Sequence, residues 1–191
     1  SRVLLQKFFD PLTLEPLFPS GKSVEALLNQ AMQAAQTAVL EGVPGGGSTL
    51  TLVLVLERQL YFAHVGDTRL YLYAQSGGLK VLTRDHSVAR RLVDLGQLNA
   101  AEAQVNPLRN SLFRALGQGE GFSADLGQVT IEAPSKLLLC SDGLWGTLPE
   151  ETLVKSLQAD PLPMDAAWKL VQAANAAGGA DNISVVIVDI R

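Results

Sequence analysis

The sequence predicts an α+β protein, and three observations carry that prediction. Apolar residues recur at helical spacing over residues 22–40. The period then changes to that of strands over 48–73, rich in Val, Leu, Tyr and Thr. The turns joining those strands are too short for the crossover that a parallel pair requires. Strands without strand–helix–strand alternation indicate antiparallel sheet inside and helices outside.

Each element follows from its local chemistry. The opening residues Val3, Leu4, Leu5, Phe8 and Phe9 are spaced as a helix already under way, and the chain begins at Ser1 rather than Met, so further sequence upstream is expected. Phe18-Pro19-Ser20-Gly21 breaks that segment, Ser23 starts the helix over 22–40, and Gly42 with Pro44 stops it. Three strands, over 48–56, 60–65 and 69–73, are expected to form a meander through the turns Glu57-Arg58-Gln59 and Gly66-Asp67-Thr68. A short strand over 79–82 precedes a helix over 88–95 capped by Gly96. A helix over 100–104 follows within a mixed stretch that suits a surface subdomain. Strands over 124–131 and 136–141, helices over 149–158 and 164–177, and a last strand over 183–190 complete the chain. One domain over residues 1–191 is expected, with a core burying on the order of 70% of the unfolded surface.

Composition excludes several classes. The 47% hydrophobic content contains no run near the roughly 20 apolar residues of a membrane helix. A net charge of −4 supplies no excess of Lys and Arg to neutralise phosphates, which argues against a general nucleic-acid binder. The single cysteine, Cys140, rules out an internal disulfide and a cysteine-cluster zinc site, and suits a reducing cytoplasm. Gly45-Gly46-Gly47-Ser48-Thr49 lacks the lysine and following helix of a P-loop and reads as a helix-to-strand link.

Three aspartates carry the candidate chemistry. Asp142 follows the apolar strand ending in Cys140-Ser141, and Asp181 opens the final strand through Asn182. If those two strands pair antiparallel, both carboxylates share one rim of the sheet. Asp67 lies in the turn Val65-Gly66-Asp67-Thr68-Arg69. Taken singly, each reads as a turn or cap residue; together they form a hard oxygen donor set without Cys or clustered His, which favours Mg²⁺ or Mn²⁺ over Zn²⁺.

The motifs Gly-Ser-Thr at 47–49, Val-Gly-Asp-Thr-Arg at 65–69, Leu-Thr-Arg-Asp-His-Ser at 82–87, Arg-Ala-Leu-Gly at 114–117, Ser-Asp-Gly-Leu-Trp at 141–145 and Asp-Asn-Ile-Ser at 181–184 occur in that order. In content and order this chain, from about Gly45 to its end, resembles the metal-dependent protein phosphatases of the protein phosphatase 2C class. The resemblance implies two packed antiparallel sheets with helices on both outer faces, the N-terminal strands missing, and a flap of the bacterial type at about 86–117. It implies a binuclear Mn²⁺ or Mg²⁺ site in which Asp142 and Asp181 hold the catalytic metals and Asp67 helps bind a third, weaker one. The implied reaction is hydrolysis of phosphoserine or phosphothreonine in a protein substrate by metal-activated water, without a phosphoenzyme. Expected partners are that phosphoprotein and an N-terminal segment completing the domain, with no nucleic acid and no membrane.

The chain also departs from the family pattern. The family's upstream phosphate-gripping arginine, the acidic residue after it and the Asp-Gly-X-Gly-Gly turn have no counterpart here, and Gly146 stands where the family often has another aspartate. A second reading follows, in which the chain is a pseudophosphatase that binds or regulates a partner without turnover. The remaining candidates read as structural. Cys140 is a buried inert thiol, His64 packs in its strand, and His86 hydrogen-bonds locally. Arg69, Arg84, Arg109 and Arg114 form salt bridges or lie at the surface, and Trp145 and Trp168 anchor their helices by packing.

Overall fold

The computed structural model describes residues 23–191 apart from 75, 77, 120 and 161, so the helix expected around Val3 to Phe9 lies outside the described residues. In chain order the elements are α1 (Val24–Gly42), β1 (Leu50–Leu56), β2 (Gln59–Val65), β3 (Arg69–Ala74), β4 (Gly78–Val81), α2 (Val88–Asp94) and α3 (Ala100–Val105). They continue as β5 (Asp125–Thr130), β6 (Ser135–Cys140), α4 (Asp142–Trp145), α5 (Glu150–Ala159), α6 (Pro163–Ala176) and β7 (Val185–Ile190). All strand pairs are antiparallel. The result is two antiparallel sheets flanked by helices, ordered β1-β2-β5 and β4-β3-β6-β7.

The sheet orders correct the expected meander. β2 does not pair with β3: its two edges carry β1 and β5, while those of β3 carry β4 and β6. Gly66-Asp67-Thr68 is therefore a passage from one sheet to the other, not a hairpin turn. Gly66 makes it possible, with a φ of 109° and a position where a Cβ would lie 2.4 Å from the Thr49 side chain.

The elements fall into two compact units. The first comprises the described part of Ser1–Gly66 with Arg114–Thr130. Here Ser23 caps α1 by accepting from the Ala26 amide at 3.2 Å. The spacing of Leu28, Met32 and Ala35 puts them on one face of α1, in a core with Ala63, Val65 and Leu116. Buried Gln36 satisfies both ends of its amide, accepting from the Gly117 amide at 2.7 Å and donating to the Gln118 carbonyl at 2.6 Å.

The second unit comprises Asp67–Phe113 with Ile131–Arg191. Leu138 and Cys140 of strand β6 share a core with Leu144, Leu153, Leu157, Leu170 and Ala174 from α4, α5 and α6, and with Leu148 between α4 and α5. Each fully buried leucine there contributes about 1.5–3 kcal/mol. Lys136 donates to the carbonyls of Leu157 and Asp160 at 2.7 and 2.8 Å, satisfying groups left open at the end of α5. Along α6 the four-residue steps Ala166, Leu170 and Ala174 are buried. Trp168 falls on the opposite side and is 63% exposed, which corrects its expected role as a packing anchor. The segment holding α2 and α3 is closed by hydrogen bonds from the Val88 amide to the Ser111 carbonyl (2.8 Å) and from the Phe113 amide to the His86 carbonyl (2.9 Å).

Candidate functional site

Strand register in the four-stranded sheet brings the three predicted aspartates to one end of it. Arg69 opposes Cys140, and Cys140 opposes Val185. Asp67 lies two residues before Arg69, Asp142 two after Cys140, and Asp181 four before Val185. The antiparallel pairing on which their shared rim depends is therefore present.

Local contacts then tie the Asp142 and Asp181 segments together. The Ser141 hydroxyl donates to the Asn182 carbonyl and accepts from the Ser184 amide, both at 2.9 Å, while the Ser141 amide donates to the Ser184 carbonyl at 3.1 Å. Asp142 opens the one-turn helix α4, an element that sequence reading took for a turn. Its Oδ1 accepts from the Gly143 amide at 3.0 Å, and Asp181 likewise accepts from the Asn182 amide at 2.7 Å. Glycine at 143 permits the approach, because a Cβ there would lie 2.4 Å from the Asn182 carbonyl oxygen.

The electrostatics are those of carboxylates crowded together. Burial, then the neighbouring Asp181 charge, raises the pKa of Asp142, against the opposing pull of backbone amides and Arg109. Burial, then Asp142 and Asp85, pushes Asp67 up to about 6, with Arg69 opposing. A divalent cation would relieve that repulsion, and the all-oxygen donors suit Mg²⁺ or Mn²⁺, which bind through one or two carboxylates and retain water. Among the described residues no group of three or more His, Cys, Asp or Glu side chains is gathered to hold a metal ion. The fit therefore rests on the Asp142–Asp181 pair, with Asp67 near enough to Asp142 for their charges to interact.

Sequence reading missed how Asp67 is held. The Trp145 Nε1 donates to the Asp67 carbonyl at 2.9 Å. The Arg69 guanidinium lies 3.6 Å over the Trp145 ring and binds buried Asp85 through two hydrogen bonds, of 3.0 and 2.7 Å. The available signal was the three-residue spacing from Asp142 to Trp145, which becomes a shared helix face only once α4 is seen.

The other candidates are structural. Burial drives the Cys140 thiol up to about 12, which leaves it inert. His64 is fully buried, its Nε2 at 3.1 Å from the Gly66 carbonyl and its Nδ1 at 2.9 Å from the Thr51 hydroxyl, so Nε2 carries the proton. His86 is buried against Phe113, with ring centroids 5.7 Å apart. Arg84 pairs with Asp94 and Arg114 with Asp125. Arg109 binds the Gln104 carbonyl and Asn110 side chain, each at 3.3 Å.

Comparison with known proteins places the chain in a family. The family model described as "Protein phosphatase 2C" matches residues 6–183, running through both compact units and beginning well before the first motif at Gly47. The serine/threonine protein phosphatase PstP of Mycobacterium tuberculosis is 34% identical over 176 residues, which cover 89% of this chain and 34% of PstP. Protein phosphatase PhpP of Streptococcus pneumoniae is 35% identical over 151 residues, 79% of this chain and 61% of PhpP. The chain thus spans less than two thirds of either relative. A crystal structure of the PstP catalytic domain in complex with two manganese ions superposes with a TM-score of 0.80 at 32% identity, covering 99% of this chain and 79% of that one. With the matching family model, the shared fold and the aspartates at one sheet end, this chain belongs to the protein phosphatase 2C family, whose phosphatases are metal-dependent.

Proposed function

We propose that this chain hydrolyses phosphoserine and phosphothreonine in proteins, using Mn²⁺ or Mg²⁺ held by Asp142 and Asp181, with Asp67 contributing to a further, weaker ion. The observation that carries this reading is the adjacency of Asp142 and Asp181, enforced by the Cys140–Val185 register and the Ser141 bonds to Asn182 and Ser184. When bound, such ions lower the pKa of water and neutralise charge on phosphoryl oxygens. The residues' part is to supply anionic oxygens at a fixed spacing, with Ser141 holding the two segments in register. The phosphatase relatives support the substrate class. The proposed setting is the cytoplasm; among the described residues no helix is long and apolar enough to cross a membrane. Turnover of a phosphothreonine peptide in Mn²⁺, abolished by Asp142→Asn, is the expected result.

A second reading is a phosphatase-like module that binds a partner without turnover. The lack of a three-ligand group among the described residues favours it, as does the exposed Gly146. Mn²⁺-dependent turnover no greater than that of Asp142→Asn would select this reading over the first.

A further inference from the structure

We propose that Trp145 is a positioning residue that ties the Asp67 turn to the Asp142 helix and so sets the spacing of the carboxylates at this end of the sheet. The consequence for metal binding rests on the cation reading above. α4 has only four residues, Asp142–Trp145, and a single turn has almost no stability of its own. Its place is fixed by anchors at each end. Ser141 binds the Asn182–Ser184 segment, and buried Leu144 enters the core.

Trp145 is the third anchor and the one that reaches Asp67. Three positions after Asp142, it lies on the same face of the turn. Its Nε1–H binds the Asp67 carbonyl at 2.9 Å, and a peptide carbonyl fixed in space restricts the backbone ψ of its residue and so the direction of that residue's Cα–Cβ bond. The indole cannot swing away, because the Arg69 guanidinium stacks on it at 3.6 Å and is itself clamped by Asp85. One ring thereby connects two of the three aspartates, at the sheet end where β3 and β6 pair.

The test compares the chain with Trp145→Phe, which keeps an aromatic ring and removes the N–H. Trp145→Met is measured alongside, so that a folding defect in one variant does not decide the outcome. Hydrogen exchange without metal reads the tie directly: exchange is expected to rise both at residues 67–69 and at 142–146, with β6 and β7 unchanged. Isothermal titration with Mn²⁺ reads its consequence, an affinity about tenfold weaker in the variants. Unchanged exchange at 67–69, or equal Mn²⁺ affinity in chain and variants, overturns the proposal. Absence of Mn²⁺ binding by the unsubstituted chain defeats the cation reading instead, and exchange at 67–69 then decides the role of Trp145 alone.

Discussion

Asp67 concentrates the electrostatic tension of this sheet end. Its folded pKa of about 6 lies above its ordinary value of 3.8, through burial first and the Asp142 and Asp85 charges next. The folded protein therefore holds this proton to higher pH than the unfolded chain does. The associated stability is fully present below about pH 4 and is lost as pH rises through about 6. Thermal melts of metal-free protein across that window are expected to show the decline, and Asp67→Asn to flatten it. Asp85 is a buried carboxylate paired with the Arg69 guanidinium. Asp85→Asn leaves the half-buried guanidinium without its partner charge, at an expected cost of about 3 kcal/mol in denaturant titration. The Cys140 thiol, held up at about 12 by burial, should resist alkylation at pH 8 until the protein unfolds.

At the scale of elements, the strands and longer helices were legible because each bears a strong local period and clear stop residues. Ser23 and the apolar face of α1 are one example, and the continuous apolar run from Leu137 to Cys140 in β6 is another. What local pattern does not contain is the choice of neighbour. The Gly66-Asp67-Thr68 turn has the length and composition of a hairpin, yet both edges of β2 and of β3 are taken by other strands. The one-turn helix α4 escaped notice for a related reason: four residues carry no periodic signal, and side-chain anchors hold it. Those anchors make Gly143 critical, since a methyl there meets the Asn182 carbonyl at 2.4 Å. Gly143→Ala is expected to cut phosphopeptide turnover at least tenfold while circular dichroism shows the secondary structure retained, because it separates Asp142 from Asp181 without touching either carboxylate.

At the scale of the whole molecule, the family could be read from six short motifs because they report chemistry in a fixed order, and the family match to residues 6–183 extends that likeness beyond them. The convergence of Asp67, Asp142 and Asp181 was legible only as a conditional, since it needed β6 and β7 to be partners, and the register of Cys140 with Val185 supplies that condition. Trp145 illustrates the remainder, a residue read as packing whose polar edge holds a neighbouring loop. The central claim, that Asp142 and Asp181 together bind the cation, is tested most directly by electron paramagnetic resonance of added Mn²⁺, which distinguishes free from bound ion. Saturable binding by the chain, lost in both Asp142→Asn and Asp181→Asn, is the predicted result; binding by either variant as tight as that of the unsubstituted chain would contradict it.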